Sequence, residues 1–170
     1  AIGVSNMPAW VISRADAIAE LRGWSSFCAI QIEYSLLARS PDRELLPMAD
    51  ALGLGVLAWS PLARGRLAGR RRGNTDKPLP QAQQQVLDVV TEVAAQLGAT
   101  PAQVAIAWVL SRGIMPVLGA STPAQIRDNL GAAALRLDEE QLARLDAVSR
   151  VDPGYPHWFL NTRCPTLQPM

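Results

Sequence analysis

The stretch GLGVLAWSPLARGRLAG, residues 53–69, changes character in its middle. Its first seven residues, 53–59, are apolar and predict a strand of the kind buried on both faces of a parallel sheet. From Ser60 to Pro80 the composition turns to Pro, Gly and Arg, with Arg64, Arg66, Arg70, Arg71 and Arg72 in one long loop. A loop of that length in a compact domain is more often functional than incidental. In parallel α/β folds ligands gather where strands end and such loops begin, so the junction at Trp59-Ser60 is where a site is expected.

The same alternation recurs on both sides of this stretch. Residues 1–4 have strand character, and Ser5-Asn6 lead into a predicted helix over 8–21, with Val11, Ile12, Ala15, Ile18 and Ala19 at helical spacing and Gly23 at its end. FCAIQIEYSLL, residues 27–37, predicts a second strand, and Arg39-Ser40-Pro41-Asp42 a turn into a helix that has Pro47 near its start and stops at Gly53. Beyond the long loop come helices over 81–97 and 101–111, the second with Thr100 as N-cap and Pro101 in the first position. IMPVLGA, residues 114–120, predicts the fourth strand, and Ser121-Thr122-Pro123 opens a helix to about residue 130. In LDEEQLARLDAVS, residues 137–149, Asp138 caps a last helix with Gln141 three residues on. The tail from Val151 is rich in Pro and is expected to be irregular. Four strands alternating with helices predict an α/β fold of four parallel βα units with right-handed crossovers and extra helices.

Composition bounds the function. A chain of 170 residues is long enough for one domain with a sizeable core, yet short of the roughly 250 residues of a complete eight-unit α/β barrel. The 49% apolar content is broken by Gly, Pro or charge well before the roughly 18 residues of a membrane span, and no signal-peptide pattern opens the chain. With 16 basic against 15 acidic residues, the net charge of +1 gives no case for nucleic acid or an anionic membrane as partner. Cys28, in an apolar run, and Cys164, in the tail, are expected to be reduced thiols in a cytoplasmic protein. The chain opens inside a strand with no polar lead-in, so an upstream segment is expected.

At the four predicted strand ends stand Ser5-Asn6, residues 31–34, residues 59–62 and residues 119–122. They carry amide, hydroxyl and aromatic groups, a set that binds a polar ligand without acid–base chemistry. Asn6 and Gln31 each offer a donor and an acceptor suited to a carboxamide, and Trp59 a face for stacking on a ring. Ser121, Thr122 and the N–H groups of the helix at Pro123 suit an anion, which the loop arginines also suit. Each feature has a plainer reading. Ser5-Asn6 equally cap the next turn, Gln31 satisfies a neighbouring backbone group, Trp59 fills the core, and the arginines form a solvated loop.

Taken in order, GVSN, QIEYSLL, LAWSPLARGRLAG and VLGASTPAQIRDNLGA resemble the C-terminal half of an aldo-keto reductase. Members of that family are (β/α)8 barrels that reduce carbonyl groups with NADPH, and the resemblance implies that this chain is a half TIM barrel, strands five to eight with their helices, over residues 1–150, followed by a tail over 151–170. It implies that Ser5, Asn6 and Gln31 hold the nicotinamide carboxamide and that Trp59 stacks on the ring. Ser60, Leu62, Gly65 and Leu67 then line the loop along the pyrophosphate. Gly119, Ser121, Thr122, Gln125, Asp128 and Asn129 surround the adenosine end. Ser121 stands where many NADPH-preferring relatives carry Arg, a place Arg127 or the loop arginines would have to fill.

The family's acid–base set of Asp, Tyr, Lys and His belongs to the first four strands. No catalytic residue is therefore expected in this chain, nor any metal ligand, and Tyr34, Tyr155 and His157 are not substitutes. The expected partner is a small carbonyl substrate once the other half is present, and open barrel edges would favour dimerisation. Alternatives are a non-catalytic nucleotide-binding or regulatory module, as in potassium-channel β subunits, and a half-barrel without ligand.

Overall fold

The structure is a computed structural model that describes residues 1–69 and 79–163. The expectations for Arg70, Arg71, Arg72 and Cys164 lie outside the described residues. Strands β1 (Gly3–Ser5), β2 (Ala29–Glu33), β3 (Gly55–Trp59) and β4 (Met115–Val117) alternate with helices, as the sequence predicts. The helices are α1 (Ala9–Arg22), α2 (Leu45–Ala51), α3 (Gln81–Leu97), α4 (Pro101–Ser111), α5 (Pro123–Leu130), α6 (Glu139–Ser149) and α7 (His157–Arg163). The strands are parallel and neighbour one another in the order β1-β2-β3-β4, the order in which the chain makes them.

The chain divides into two compact units. The first comprises residues 1–32, 40–57 and the segment from Val151 onward. In it β1 and β2 pair in the register Gly3↔Ala29, Val4↔Ile30 and Ser5↔Gln31. Gly3 keeps them close, because a Cβ there would meet the Ala29 carbonyl oxygen at 3.0 Å. Ile12 of α1, Ile30 and Ile32 of β2, Ala49 of α2 and Leu54 form its buried core. α1 ends at Gly23, whose φ of 65° is the left-handed turn that glycine takes without a Cβ penalty.

The second unit comprises residues 33–39 and 58–150. Its centre is α4, where Ala102 and every residue from Val104 to Val109 are buried. Val86, Val90 and Val93 of α3 and Leu145 of α6 complete the apolar packing. Trp108 is fully buried and stacks on Tyr34 with ring centroids 5.5 Å apart. The guanidinium groups of Arg39 and Arg112 lie 4.7 and 5.4 Å from its ring, within cation–π range. Its indole N–H donates to Asp146 Oδ1 at 3.2 Å, and Arg39 and Arg112 pair with the same oxygen at 3.2 and 3.3 Å. One carboxylate of α6 thus satisfies three donors around the core tryptophan, as burial of polar atoms requires.

Several expectations need correction. β2 stops at Glu33, because the Tyr34 N–H turns to the Trp59 carbonyl oxygen at 3.4 Å and Ser35 closes a small antiparallel bridge with Ala38. β3 is not buried on both faces: Gly55 is exposed and only Ala58 is buried. Cys28, in its apolar run, is exposed, and its thiol donates to the Ile2 carbonyl oxygen at 3.2 Å. The long loop contains a 3-10 segment, Ala63–Ala68. Nor is the tail irregular throughout, since α7 forms in it. His157 of α7 reaches Glu44 at 3.1 Å, and Arg43 donates to the Asp152 carbonyl oxygen at 2.8 Å, so polar contacts hold the tail within its unit.

Among the described residues no single helix is long and apolar enough to cross a membrane. α3 and α4 approach that length only as a pair bent by 97°, and α4 is a core helix.

Candidate cofactor site

In the first unit the corner after β1 is fixed by a chain of hydrogen bonds. Asn6 Nδ2 donates to Ser5 Oγ at 2.9 Å, and Ser5 Oγ donates to the Gln31 carbonyl oxygen at 3.0 Å. The Asn6 backbone N–H donates to the same oxygen at 3.3 Å. The parallel register sets Ser5, the last residue of β1, beside Gln31 in the middle of β2, so the three polar residues are neighbours. Ser5 and Asn6 are exposed and Gln31 is half-buried. Asn6 has a φ of 55°, in the left-handed region that asparagine enters more readily than most residues.

In the second unit the turn after β3 departs further from ordinary backbone. Ser60, Ala63 and Arg64 have φ of 53°, 47° and 59°, and Gly65 follows at 89°. A left-handed non-glycine residue costs about 1–2 kcal/mol, and such residues cluster at functional sites where the surroundings hold them. The hold is visible. Ala63 N–H donates to the Ser60 carbonyl at 2.8 Å, and the N–H groups of Gly65 and Leu67 donate to the Leu62 carbonyl at 2.9 and 3.2 Å. Leu67 is fully buried, which pins the turn and leaves only its backbone to face a ligand. Trp59, Ser60, Leu62 and Gly65 are half-buried, Arg64 and Arg66 exposed, and Arg66 reaches Gln83 of α3 at 3.4 Å.

After β4, Gly119, Ser121 and Thr122 are exposed and lead into α5. Thr122 is the N-cap, its Oγ1 accepting from Gln125 N–H at 3.3 Å, while Gln125 Oε1 accepts from Ser121 N–H at 2.9 Å. Part of the donor set expected here is used within the turn. Pro123 has no N–H, and those of Ser121 and Gln125 are engaged within the turn. Asp128 does not stand clear of the protein either: Thr100 Oγ1 lies 3.2 Å from Oδ2, and Gln103 Nε2 donates to its backbone oxygen at 2.9 Å. Asn129 is 5% exposed. Arg127 lies exposed on the same helix.

Sequence reasoning missed Thr100, Gln103 and Gly131 as supports of α5. A signal was present, since Thr-Pro-Ala-Gln occurs at 100–103 and again at 122–125. Among the described residues no group of three or more His, Cys, Asp or Glu side chains is placed to hold a metal ion.

The model of the aldo/keto reductase family matches residues 1–150. The chain belongs to the aldo-keto reductase family. It is 37% identical over 156 residues to the uncharacterized oxidoreductase YrpG of Bacillus subtilis, covering 86% of this chain and 48% of that protein. To versiconal hemiacetal acetate reductase of Aspergillus parasiticus it is 32% identical over 160 residues, covering 85% and 47%. The solved structure of the thermostable aldo-keto reductase Tm1743, in complex with the inhibitor epalrestat, matches with a TM-score of 0.69 at 26% identity, over 86% of this chain and 47% of that one. The chain therefore spans about half the length of the relatives it matches, and its four βα units are similar to part of an aldo-keto reductase TIM barrel. Its relatives are oxidoreductases, and the family generally uses NAD(P)H.

Proposed function

We propose that this chain is the C-terminal, cofactor-holding half of an NADP(H)-dependent aldo-keto reductase that reduces a small carbonyl compound to an alcohol in the cytoplasm. On this reading residues 1–150 supply barrel strands five to eight and residues 151–170 a tail. The observation that carries it is the state of two strand ends. Asn6 and Ser60, each the first residue after its strand, are both left-handed non-glycine residues, and both belong to the set that the family resemblance points to.

The donor set fits a nicotinamide dinucleotide. The Ser5–Asn6–Gln31 corner presents the Ser5 hydroxyl and the Asn6 amide, held to each other and to the Gln31 backbone oxygen, beside the Gln31 amide, a donor and acceptor set suited to a carboxamide. Trp59 is half-buried and offers a ring for stacking, and the turn over 60–67, with exposed Arg64 and Arg66, would run along a pyrophosphate. Gly119, Ser121, Thr122, Gln125, Asp128 and Asn129 would take the adenosine end, with Arg127 as the nearest cation in sequence for a 2′-phosphate. The bound cofactor supplies the hydride. No acid–base role is assigned to this chain. Tyr34 is fully buried against Trp108, and His157 of the tail is paired with Glu44.

The test is calorimetric titration of NADPH into the protein and two variants. Trp59→Ala removes the stacking ring, and Asn6→Gly removes the amide while keeping the left-handed backbone. Each is expected to weaken binding about tenfold, the equivalent of about 1.4 kcal/mol. Unchanged affinity in both would remove the assignment.

A further inference from the structure

We infer that Tyr34 is a positioning residue for Trp59: its backbone holds the peptide between Trp59 and Ser60, and its ring anchors that backbone in the core of the second unit. The inference rests on the cofactor reading above and deepens it, since Trp59 is the ring proposed to stack on the nicotinamide. The Tyr34 N–H donates to the Trp59 carbonyl oxygen at 3.4 Å. That carbonyl lies in the same peptide plane as the Ser60 N–H, so the bond restrains the plane from which the Ser60 φ of 53° is set. A left-handed serine persists only where its surroundings over-determine it. The bonds of Ala63, Gly65 and Leu67 secure the turn downstream, and Tyr34 secures it upstream.

The side chain of Tyr34 accounts for the fixed place of its N–H. The ring is fully buried and stacks on Trp108, which Asp146, Arg39 and Arg112 hold in turn. Arg39 secures the far end of the same segment. Its side chain is only 9% exposed, pairs with Asp146 at 3.2 Å, donates to Ser149 Oγ at 2.7 Å and lies 6.0 Å from the Tyr34 ring. Between the two residues, Ser35 bridges Ala38, and Ser35 Oγ accepts from Leu37 N–H at 3.2 Å. Residues 34–39 are thus clamped at both ends against α4 and α6 and present the Tyr34 N–H to Trp59.

Tyr34→Leu keeps the backbone N–H and removes the ring that anchors it, whereas Tyr34→Phe keeps the ring. Trp59 and α5 belong to the same unit, so general damage to that unit would weaken ligands of both, while a misplaced Trp59 affects the nicotinamide end alone. NADPH should bind Tyr34→Leu about tenfold more weakly and Tyr34→Phe within about twofold of the unaltered protein, effects of the size seen for coupled residues. Adenosine 2′,5′-bisphosphate, which has no nicotinamide, should bind all three proteins alike. Asp146→Asn, at a partly exposed carboxylate, frees Arg39 and Arg112 from their pair beside Trp108 and carries the test if Tyr34→Leu does not fold. It should weaken NADPH about threefold and leave the bisphosphate unchanged. Equal weakening of both ligands, NADPH affinity unchanged in Tyr34→Leu and Asp146→Asn, or a loss in Tyr34→Phe as large as in Tyr34→Leu would overturn the inference and leave the cofactor reading intact. Failure of the unaltered protein to bind NADPH would overturn both.

Discussion

The tetrapeptide Thr-Pro-Ala-Gln starts two helices in this chain, and the two starts do different things. At 100–103 the glutamine folds back on its own cap residue, Thr100, at 3.1 Å and reaches across to Asp128 with its N–H2 group. At 122–125 it reaches one residue further back, to Ser121 N–H at 2.9 Å. The cap threonines behave alike, each accepting from the glutamine N–H at 3.3 Å. The residues beyond each cap differ: Val-Ala-Ile-Ala-Trp-Val buries α4, whereas Ile-Arg-Asp-Asn-Leu leaves α5 largely at the surface. The cap sequence determines how a helix begins. Its flank decides whether that beginning serves packing or faces outward.

The sharpest separation of the two helices is a core truncation. Trp108→Ala in α4 removes the stack on Tyr34 and leaves Arg39 and Arg112 facing the space vacated beside Asp146, and a cost of about 3–5 kcal/mol is expected in a denaturant melt. A loss below about 1 kcal/mol would mean that α4 is not the centre of its unit. Smaller, and more informative about the comparison, is the pair Thr100→Ala and Thr122→Ala. The first should cost about 1–2 kcal/mol, because it removes a cap and a donor to Asp128 together; the second should cost about 0.5–1 kcal/mol. NADPH affinity should rank the other way, with Thr122→Ala the more damaged. Equal effects in both assays would erase the distinction between a packing start and a site start. At the bottom of the scale, Arg144→Ala breaks the 2.6 Å pair with Glu92, whose side chains are 31% and 61% exposed, and should change stability by less than about 1 kcal/mol.

The capped helices were legible from sequence. The bounds of α3 and α4, the Thr122 start of α5 and the Asp138–Gln141 box of α6 match the expectations, since capping and helical spacing are local properties. Strand ends were less legible. β2 is shorter than its apolar run because the Tyr34 N–H is taken by Trp59, a partner 25 positions away in sequence that no local pattern announces. The turn over 63–68 depends on left-handed Ala63 and Arg64, residue types whose preferences argue against that conformation. α7 carries no turn of charged or capping residues to mark its start, and its sequence is dominated by aromatic side chains and a Pro-rich approach. At the candidate site, the residue types at the strand ends were readable, but the internal use of Ser121 N–H and of the Asp128 carboxylate was not, because both depend on partners that side-chain geometry selects.

Hydrogen–deuterium exchange with and without saturating NADPH tests most directly whether the cofactor lies on these strand ends. Slower exchange is expected at residues 4–6, 60–69 and 119–126, where backbone amides border the proposed site, with no change in the interiors of α3 and α6. NADPH that binds yet leaves all three segments unprotected, or protects α3 and α6 instead, would contradict the account.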